Sequence, residues 1–262
     1  MNNLIYIISL TSEEKRRKSI SDQLEKLNQK FEFYDAFDFR FTDESVVNSY
    51  IVNDPKYNKP SRPLTKGEVG CMLSHISLIS VLAESSVNSN VLILEDDAQV
   101  DPEIINLISS EQLNNIDWDL IILGYSKLEK NNATSFYIKE PIQVIRKINK
   151  IKLGYVWKEW TCGTVGYLIN KKSLNKFRKL KVSTVADDWN YIQKKLNLKI
   201  LHTRPLLIYE DFGSFASSIE KDRKNLLKSE KIFLEPIRLL RTYPNRILFQ
   251  TMIPQAKCSI AS

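Results

Sequence analysis

Three consecutive acids, Glu95, Asp96 and Asp97, close the apolar run Val91-Leu92-Ile93-Leu94. A short apolar run of this kind reads as a buried strand, so the acids stand at a strand's carboxyl edge. Unpaired carboxylates are costly to bury and need a cation or an open cleft. The carboxyl edge of an open α/β sheet is also where ligands settle, and a divalent cation held there can bridge the oxygens of a diphosphate. The same residues equally suit an acidic turn leading into a helix that Asp101 caps and Pro102 opens. A second acidic pair, Asp187-Asp188, precedes Trp189 at a helix start. A carboxylate in that place either caps the helix or faces the cleft as a general base. Glu210-Asp211 is a rival pair for the base.

The supply of softer ligands is small. The two histidines are His75 and His202, and the three cysteines, Cys71, Cys162 and Cys258, form no CxxC pair. Neither a disulfide scaffold nor a zinc framework is expected from that pattern. A metal would be held by oxygen, which favours Mg²⁺ or Mn²⁺. His202 is a candidate third ligand. His75 lies near the apolar face of its helix, where it serves either as a hydrogen-bonded core histidine or as a ligand contact; Cys71 packs.

The elements that must position these groups alternate in type. Residues 4–9 read as a buried strand. Thr11 and Glu14 have the spacing of a capping box, opening a helix to about Lys30, with a strand candidate from Phe31 to Phe37. A short helix spans about Asp43 to Ile51, and residues 53–63 form a loop. Thr65 and Glu68 make a second capping box, which is a full structural role for Glu68 by itself. The helix it opens lines up Val69, Met72, Leu73, Ile76 and Ile79 on one face. After the acidic strand come a helix from Asp101, a strand from Asp119 to Gly124, and an irregular stretch, 125–160, with a hairpin near 143–154. A strand at 163–169, a helix at 171–180, a helix from 187 or 188 to Leu196, and strands at 198–202 and 206–209 follow. Such alternation implies a mostly parallel α/β sheet flanked by helices.

At 262 residues, 43% hydrophobic and 26% charged, the composition is that of a globular protein. The net charge is +7, and residues 220–262 hold nine Lys/Arg against four acids, so the basic excess belongs to that segment. We therefore divide the chain at 219/220, into a catalytic-type domain and a basic, amphipathic helical extension. Ile232, Phe233, Leu234, Ile237, Leu239 and Leu240 interleave there with Arg238 and Arg241. That mixture suits an anionic membrane surface or a helix docked on the domain; nucleic acid is disfavoured for want of a binding motif. The first residues have no basic region and only a short apolar run, and no stretch approaches the ~20 apolar residues of a membrane span. A cytoplasmic location, at most peripheral on the inner membrane, is the expectation.

Four stretches together resemble glycosyltransferase family 25, the bacterial lipooligosaccharide galactosyltransferase group. They are Leu4 to Leu10 with Lys15-Arg16-Arg17, Leu64 to His75, Val91 to Asp97, and Gly163 to Ile169, in the family's order. The resemblance implies a GT-A-type, Rossmann-like fold, a UDP-sugar donor, usually UDP-galactose, inversion at the anomeric carbon, and a lipid-linked oligosaccharide acceptor. It makes Glu95, Asp96 and Asp97 a variant of the Asp-x-Asp motif, with Asp97 and Glu95 as metal ligands and Glu where the motif begins with Asp. Ser9, Leu10, Arg16, Glu68 and His75 become donor-binding candidates, although Arg16 is otherwise a solvated helix residue. Ser217, Ser218 and Arg223 resemble a polar segment that closes over the diphosphate. Asp188, then Asp187, would supply the base; Trp189 would stack on a sugar or pack in the core.

Two other classes fit part of this pattern. A nucleotidyltransferase making nucleotide sugars would also use a metal on an α/β sheet, but no Gly-rich phosphate loop follows the first strand. A sugar- or nucleotide-binding protein without catalysis would not need both acidic pairs.

Overall fold

The computed structural model describes residues 4–54, 62–85, 88–128, 130–157 and 163–211. Eight strands form one sheet in the order β2-β1-β3-β8-β5-β9-β7-β6. These are β1 (Leu4–Ser9), β2 (Glu32–Asp35), β3 (Val91–Glu95), β5 (Leu120–Ile122), β6 (Ile142–Ile148), β7 (Ile151–Val156), β8 (Gly166–Ile169) and β9 (Ile200–Arg204). Pairing is parallel for β1 with β2 and β3, and for β5 with β9; β8 and β7 run against their neighbours. Six strands therefore point one way and two the other, the mostly parallel arrangement expected. A separate antiparallel pair joins β4 (Ala98–Val100) to β10 (Ile208–Glu210).

Alternation along the strands divides the core between the two faces of the sheet. Val91 and Ile93 of β3 join one cluster with α3 (Lys66–Glu84), α6 (Leu174–Phe177) and α7 (Trp189–Leu196). Leu92 and Leu94 join the other with Ile20 and Leu24 of α1 (Glu14–Lys26) and Ile104 and Leu107 of α4 (Ile104–Ile108). Burial on both faces is what makes these strands continuous apolar runs. By length and composition α3 could cross a membrane, yet half of its apolar window is buried. Val69, Met72, Leu78, Ile79 and Leu82 belong to the core here.

Local signals succeed or fail for identifiable reasons. The Thr65–Glu68 capping box forms, with Glu68 N–H on Thr65 Oγ1 at 3.2 Å and Thr65 N–H on Glu68 Oε2 at 2.9 Å. The Thr11–Glu14 box does not: α1 begins at Glu14 after Glu13, with no side-chain cap. The helix also stops at Lys26, because Asn28 turns left-handed at φ 52° and Gln29 N–H returns to Leu24 O at 3.0 Å. Within the stretch expected to be irregular, α5 (Ala133–Lys139) forms and the β6–β7 hairpin extends the main sheet through β9. Asn149, at φ 52°, supplies the left-handed turn between those strands. The helix expected at 171–180 is a 3₁₀ turn, Lys171–Ser173, running into the short α6. α2 (Glu44–Ser49) completes the described elements relevant to the site.

Candidate active site

Register brings the N-terminal strand to the acidic edge. Ile8 of β1 pairs with Glu95 at the end of β3, so the chain leaving β1 passes beside Asp96. Ser9 Oγ donates to Asp96 Oδ2 at 2.6 Å. Arg16, in the first turns of α1, places Nη1 3.0 Å from Asp96 Oδ1 and 3.1 Å from Asp97 Oδ2. Arg17 holds the same turn from below, donating to Ser9 O at 2.9 Å and to Leu10 O at 3.1 Å. Leu10 contributes backbone to this corner.

The β4–β10 pair brings a third segment in. Glu210 stands opposite Ala98, Asp211 N–H donates to Asp97 O at 2.9 Å, and Lys127 N–H donates to Glu210 Oε2 at 2.7 Å. Carboxylates from distant parts of the chain are thereby crowded together. Burial raises the Glu95 pKa well above the usual range, and the charges of Asp97, Asp187, Glu210 and Asp96 add to the effect. Asp97 is pushed up to about 7 by burial and by Asp96, with Arg16 pulling the other way and Glu210 reinforcing the rise. Asp97 Oδ1 is buried and has no hydrogen-bond partner. An orphaned carboxylate oxygen among further carboxylates is a hard, anionic donor set, and it fits Mg²⁺ or Mn²⁺. Asp97 and Glu95 are the residues that would hold such an ion, Asp96 having both oxygens bound by Ser9 and Arg16.

The two acids before α7 have different surroundings. Asp188 is the N-cap, accepting from Tyr191 N–H at 3.2 Å and from Thr184 Oγ1 at 2.8 Å. Asp187 is the member of the pair whose charge reaches Glu95. It lies against the segment entering β8, where a Cβ on Gly163 would fall 1.7 Å from Ser126 Oγ and 3.0 Å from Asp187 Oδ2. Glycine is therefore needed there for the chain to pass between those two side chains.

Other candidates turn out to hold the scaffold. Glu68 is 2% exposed, and besides the capping box its carboxylate takes two bonds from Arg62, at 2.6 and 2.8 Å; it braces the start of α3 instead of lining the carboxylate cluster. Trp189 is buried, donating from Nε1 to Thr164 Oγ1 at 2.6 Å and meeting Tyr167 edge-on, so it packs and does not present a face to a sugar. His202 is buried in β9 with Nδ1 on the Tyr125 hydroxyl and its ring stacked on that of Tyr125. That interior bond answers its burial without a metal, and burial drives its pKa down to about 3, helped by the charge on Arg204. Within the motif from Leu64 to His75, Gly70 and Ser74 have a packing role. A Cβ on Gly70 would meet Phe37 O at 2.5 Å, and Ser74 Oγ accepts from Phe37 N–H at 2.9 Å. His75 does reach the acidic edge: Nδ1 is 2.6 Å from the Tyr167 hydroxyl and Nε2 is 3.9 Å from Glu95 Oε1. Tyr167 stands in the Gly163 to Ile169 stretch that carries the family resemblance, but the sequence assigns it no contact with the site. Ser217, Ser218, Arg223 and the basic segment 220–262 lie outside the described residues.

Comparison with known proteins bears on this geometry. The chain is 30% identical to a putative glycosyltransferase of Haemophilus influenzae over 229 residues, covering 83% of this chain and 76% of that protein. It is 27% identical over 179 residues to procollagen galactosyltransferase 1-B of Xenopus laevis, covering 66% of this chain but only 27% of that much longer protein. A solved glycosyltransferase involved in glycosylating the major capsid of PBCV-1 superposes with a TM-score of 0.42 at 10% identity, over 87% of this chain and 100% of that one; so loose a likeness carries no conclusion about activity. The model of glycosyltransferase family 25, described as LPS biosynthesis protein, matches residues 2–190, which include both acidic clusters that meet at the end of β3. The chain belongs to glycosyltransferase family 25.

Proposed function

We propose that the protein is a metal-dependent, inverting glycosyltransferase that moves galactose from UDP-galactose to a lipooligosaccharide core acceptor, forming a β1,4 linkage. The observation that carries this reading is the gathering of Asp96, Asp97, Asp187 and Glu210 about Glu95, with a buried Asp97 oxygen left without a hydrogen-bond partner beside it, in a family 25 chain. The description of the family as LPS biosynthesis protein supports the acceptor class. The procollagen galactosyltransferase relatives support the sugar.

In this reading Asp187 is the base. It removes the proton of the acceptor hydroxyl while that oxygen forms its bond to the anomeric carbon and the bond from that carbon to the diphosphate breaks. Charge on the anomeric centre approaches that of an oxocarbenium ion, which the anionic surroundings favour. A bound Mn²⁺ or Mg²⁺ would supply Lewis-acid stabilisation of the departing diphosphate. Asp188 keeps Asp187 in place by capping α7, and Ser9 and Arg16 fix Asp96 beside the position of the diphosphate. The basic segment 220–262 is proposed to hold the protein at the anionic cytoplasmic face of the inner membrane, where a lipid-linked acceptor is presented.

The test is UDP release from UDP-galactose, UDP-glucose and UDP-N-acetylglucosamine by the purified protein, with and without Mn²⁺. Metal-dependent release from UDP-galactose alone is expected. Release of pyrophosphate from UTP and a sugar phosphate would instead establish a nucleotidyltransferase. Failure to bind UDP by calorimetry in the presence of Mn²⁺ would overturn the reading.

A further inference from the structure

One face of α3 carries a donor set unlike that of the acidic cleft. Cys71 and His75 are one helical turn apart and project together, toward Glu95 of β3. Sγ of Cys71, a ring nitrogen of His75 and a carboxylate oxygen of Glu95 all lie within 4.8 Å of one another. His75 is 7% exposed, and its Nε2 is buried without a hydrogen-bond partner. The nearest carboxylate oxygen, Glu95 Oε1, is 3.9 Å away, too far to satisfy it. Such an orphan is destabilising unless something else occupies the gap.

We infer that Cys71, His75 and Glu95 form a second cation site, which shares Glu95 with the acidic cleft and takes a thiophilic divalent ion such as Zn²⁺. Thiolate and imidazole donors select Zn²⁺ over Mg²⁺ and Mn²⁺. Three protein ligands leave a fourth, open position. Bonds of roughly 2.0–2.3 Å imply tetrahedral edges of about 3.3–3.8 Å, so donors within 4.8 Å of one another must draw together by roughly 1–1.5 Å at most, which rotation of the Cys71, His75 and Glu95 side chains can deliver.

The surroundings suit that role. With a metal on Nε2, the His75 Nδ1–H donates to the Tyr167 oxygen, now 2.6 Å away, which is the outer contact that orients metal-bound histidines. Burial lowers the His75 pKa to about 4, so the ring is neutral, as ligation requires. Glu95 is partly exposed, its side chain at 33%, which leaves an entry from the cleft. Occupation would tie the end of β3 to α3 and draw Glu95 away from Asp97. The inference stands independently of whether the cleft transfers a sugar.

Titration of the metal-stripped full chain with Co²⁺ tests it, reading the thiolate-to-cobalt charge-transfer absorption. The wild type should show the band at one equivalent and lose it on adding Zn²⁺. Cys71→Ser should abolish it, His75→Gln should weaken Co²⁺ binding by at least roughly 10–100-fold, and Asp97→Asn should retain it. Absence of the band in the wild type, its persistence in Cys71→Ser, or its loss in a folded Asp97→Asn overturns the inference. Should Cys71→Ser fail to fold, as judged by circular dichroism, alkylation of Cys71 in the wild type decides, followed by peptide mass spectrometry. Protection by Zn²⁺ is expected, and an unchanged alkylation rate refutes the site.

Discussion

Ser9 Oγ donates a 2.6 Å hydrogen bond to Asp96 Oδ2, so the end of the first strand fixes a carboxylate that follows it by 87 residues in the chain. Ser9 is itself 2% exposed. Ser9→Ala leaves a buried Asp96 oxygen without that donor, and a loss of about 1–3 kcal/mol of stability is expected. Urea denaturation checks it; a variant as stable as the wild type would mean that Arg16 alone suffices for Asp96.

Arg16 is the cation that Asp96 and Asp97 share, and its side chain is only 12% exposed. Arg16→Ala should destabilise the metal-free protein by about 3–5 kcal/mol, because the buried carboxylates lose their partner. Saturating Mn²⁺ should close most of that gap if a divalent ion sits on the same oxygens. Thermal melts with and without Mn²⁺ give the answer, and a deficit unaltered by Mn²⁺ would count against the ion at Asp97.

The acids before α7 should separate by experiment. Asp187→Asn is expected to lower transfer by about 10²–10⁴-fold, the range of a lost general base, with little change in melting temperature. Asp188→Ala should cost about 1 kcal/mol through the lost cap and affect transfer less. Steady-state rates and melting curves of both variants decide; the reverse order of rate losses would make Asp188 the base.

Stability should depend on pH in a defined direction. Asp97 is raised from 3.8 to about 7, so below pH 7 the folded chain keeps a proton that the unfolded chain has released. Its contribution to stability is therefore lost as pH rises through about 7. His75 and His202 are lowered from 6.5 to about 4 and about 3, so the unfolded chain takes up protons that the folded chain refuses as pH falls below 6.5. Glu95, also raised, acts in the same sense as Asp97, so the metal-free protein should lose stability as pH rises from 6.5 to about 7, while below 6.5 the carboxylates and the histidines oppose each other. Melting temperatures between about pH 5 and pH 8 check this, and Asp97→Asn should reduce the decline between about pH 6.5 and 7. An equally steep decline in that variant would assign the titration elsewhere.

Much of the scaffold was legible because its signals are local. Apolar runs ending in polar residues marked β1, β3, β5 and β9, and the Thr65–Glu68 spacing marked the start of α3. Local signals also misled where a single backbone conformation outweighed them: Asn28 ends α1 early, and the Thr11–Glu14 pattern caps nothing. The site was less legible, since residue type does not reveal direction. Asp187 and Asp188 are chemically identical neighbours, yet one caps α7 and the other faces Glu95. In sequence Trp189 and His202 are open to a ligand contact or to the core, and hydrogen bonds to Thr164 and Tyr125 hold both inside.

By itself, the sequence determined that strands and helices alternate, that acids follow an apolar strand, and that these motifs stand in the order of one glycosyltransferase family. Those properties depend on neighbouring residues along the chain, where periodicity and spacing carry the information. Only the tertiary structure decided that Ser9, Arg16, Asp187 and Glu210 converge on Glu95, Asp96 and Asp97, and that Cys71 and His75 reach Glu95 from the other side. That convergence depends on the register of β1 with β3, the pairing of β4 with β10 and the packing of α3. Each is set by how distant apolar surfaces bury one another, which no local pattern encodes.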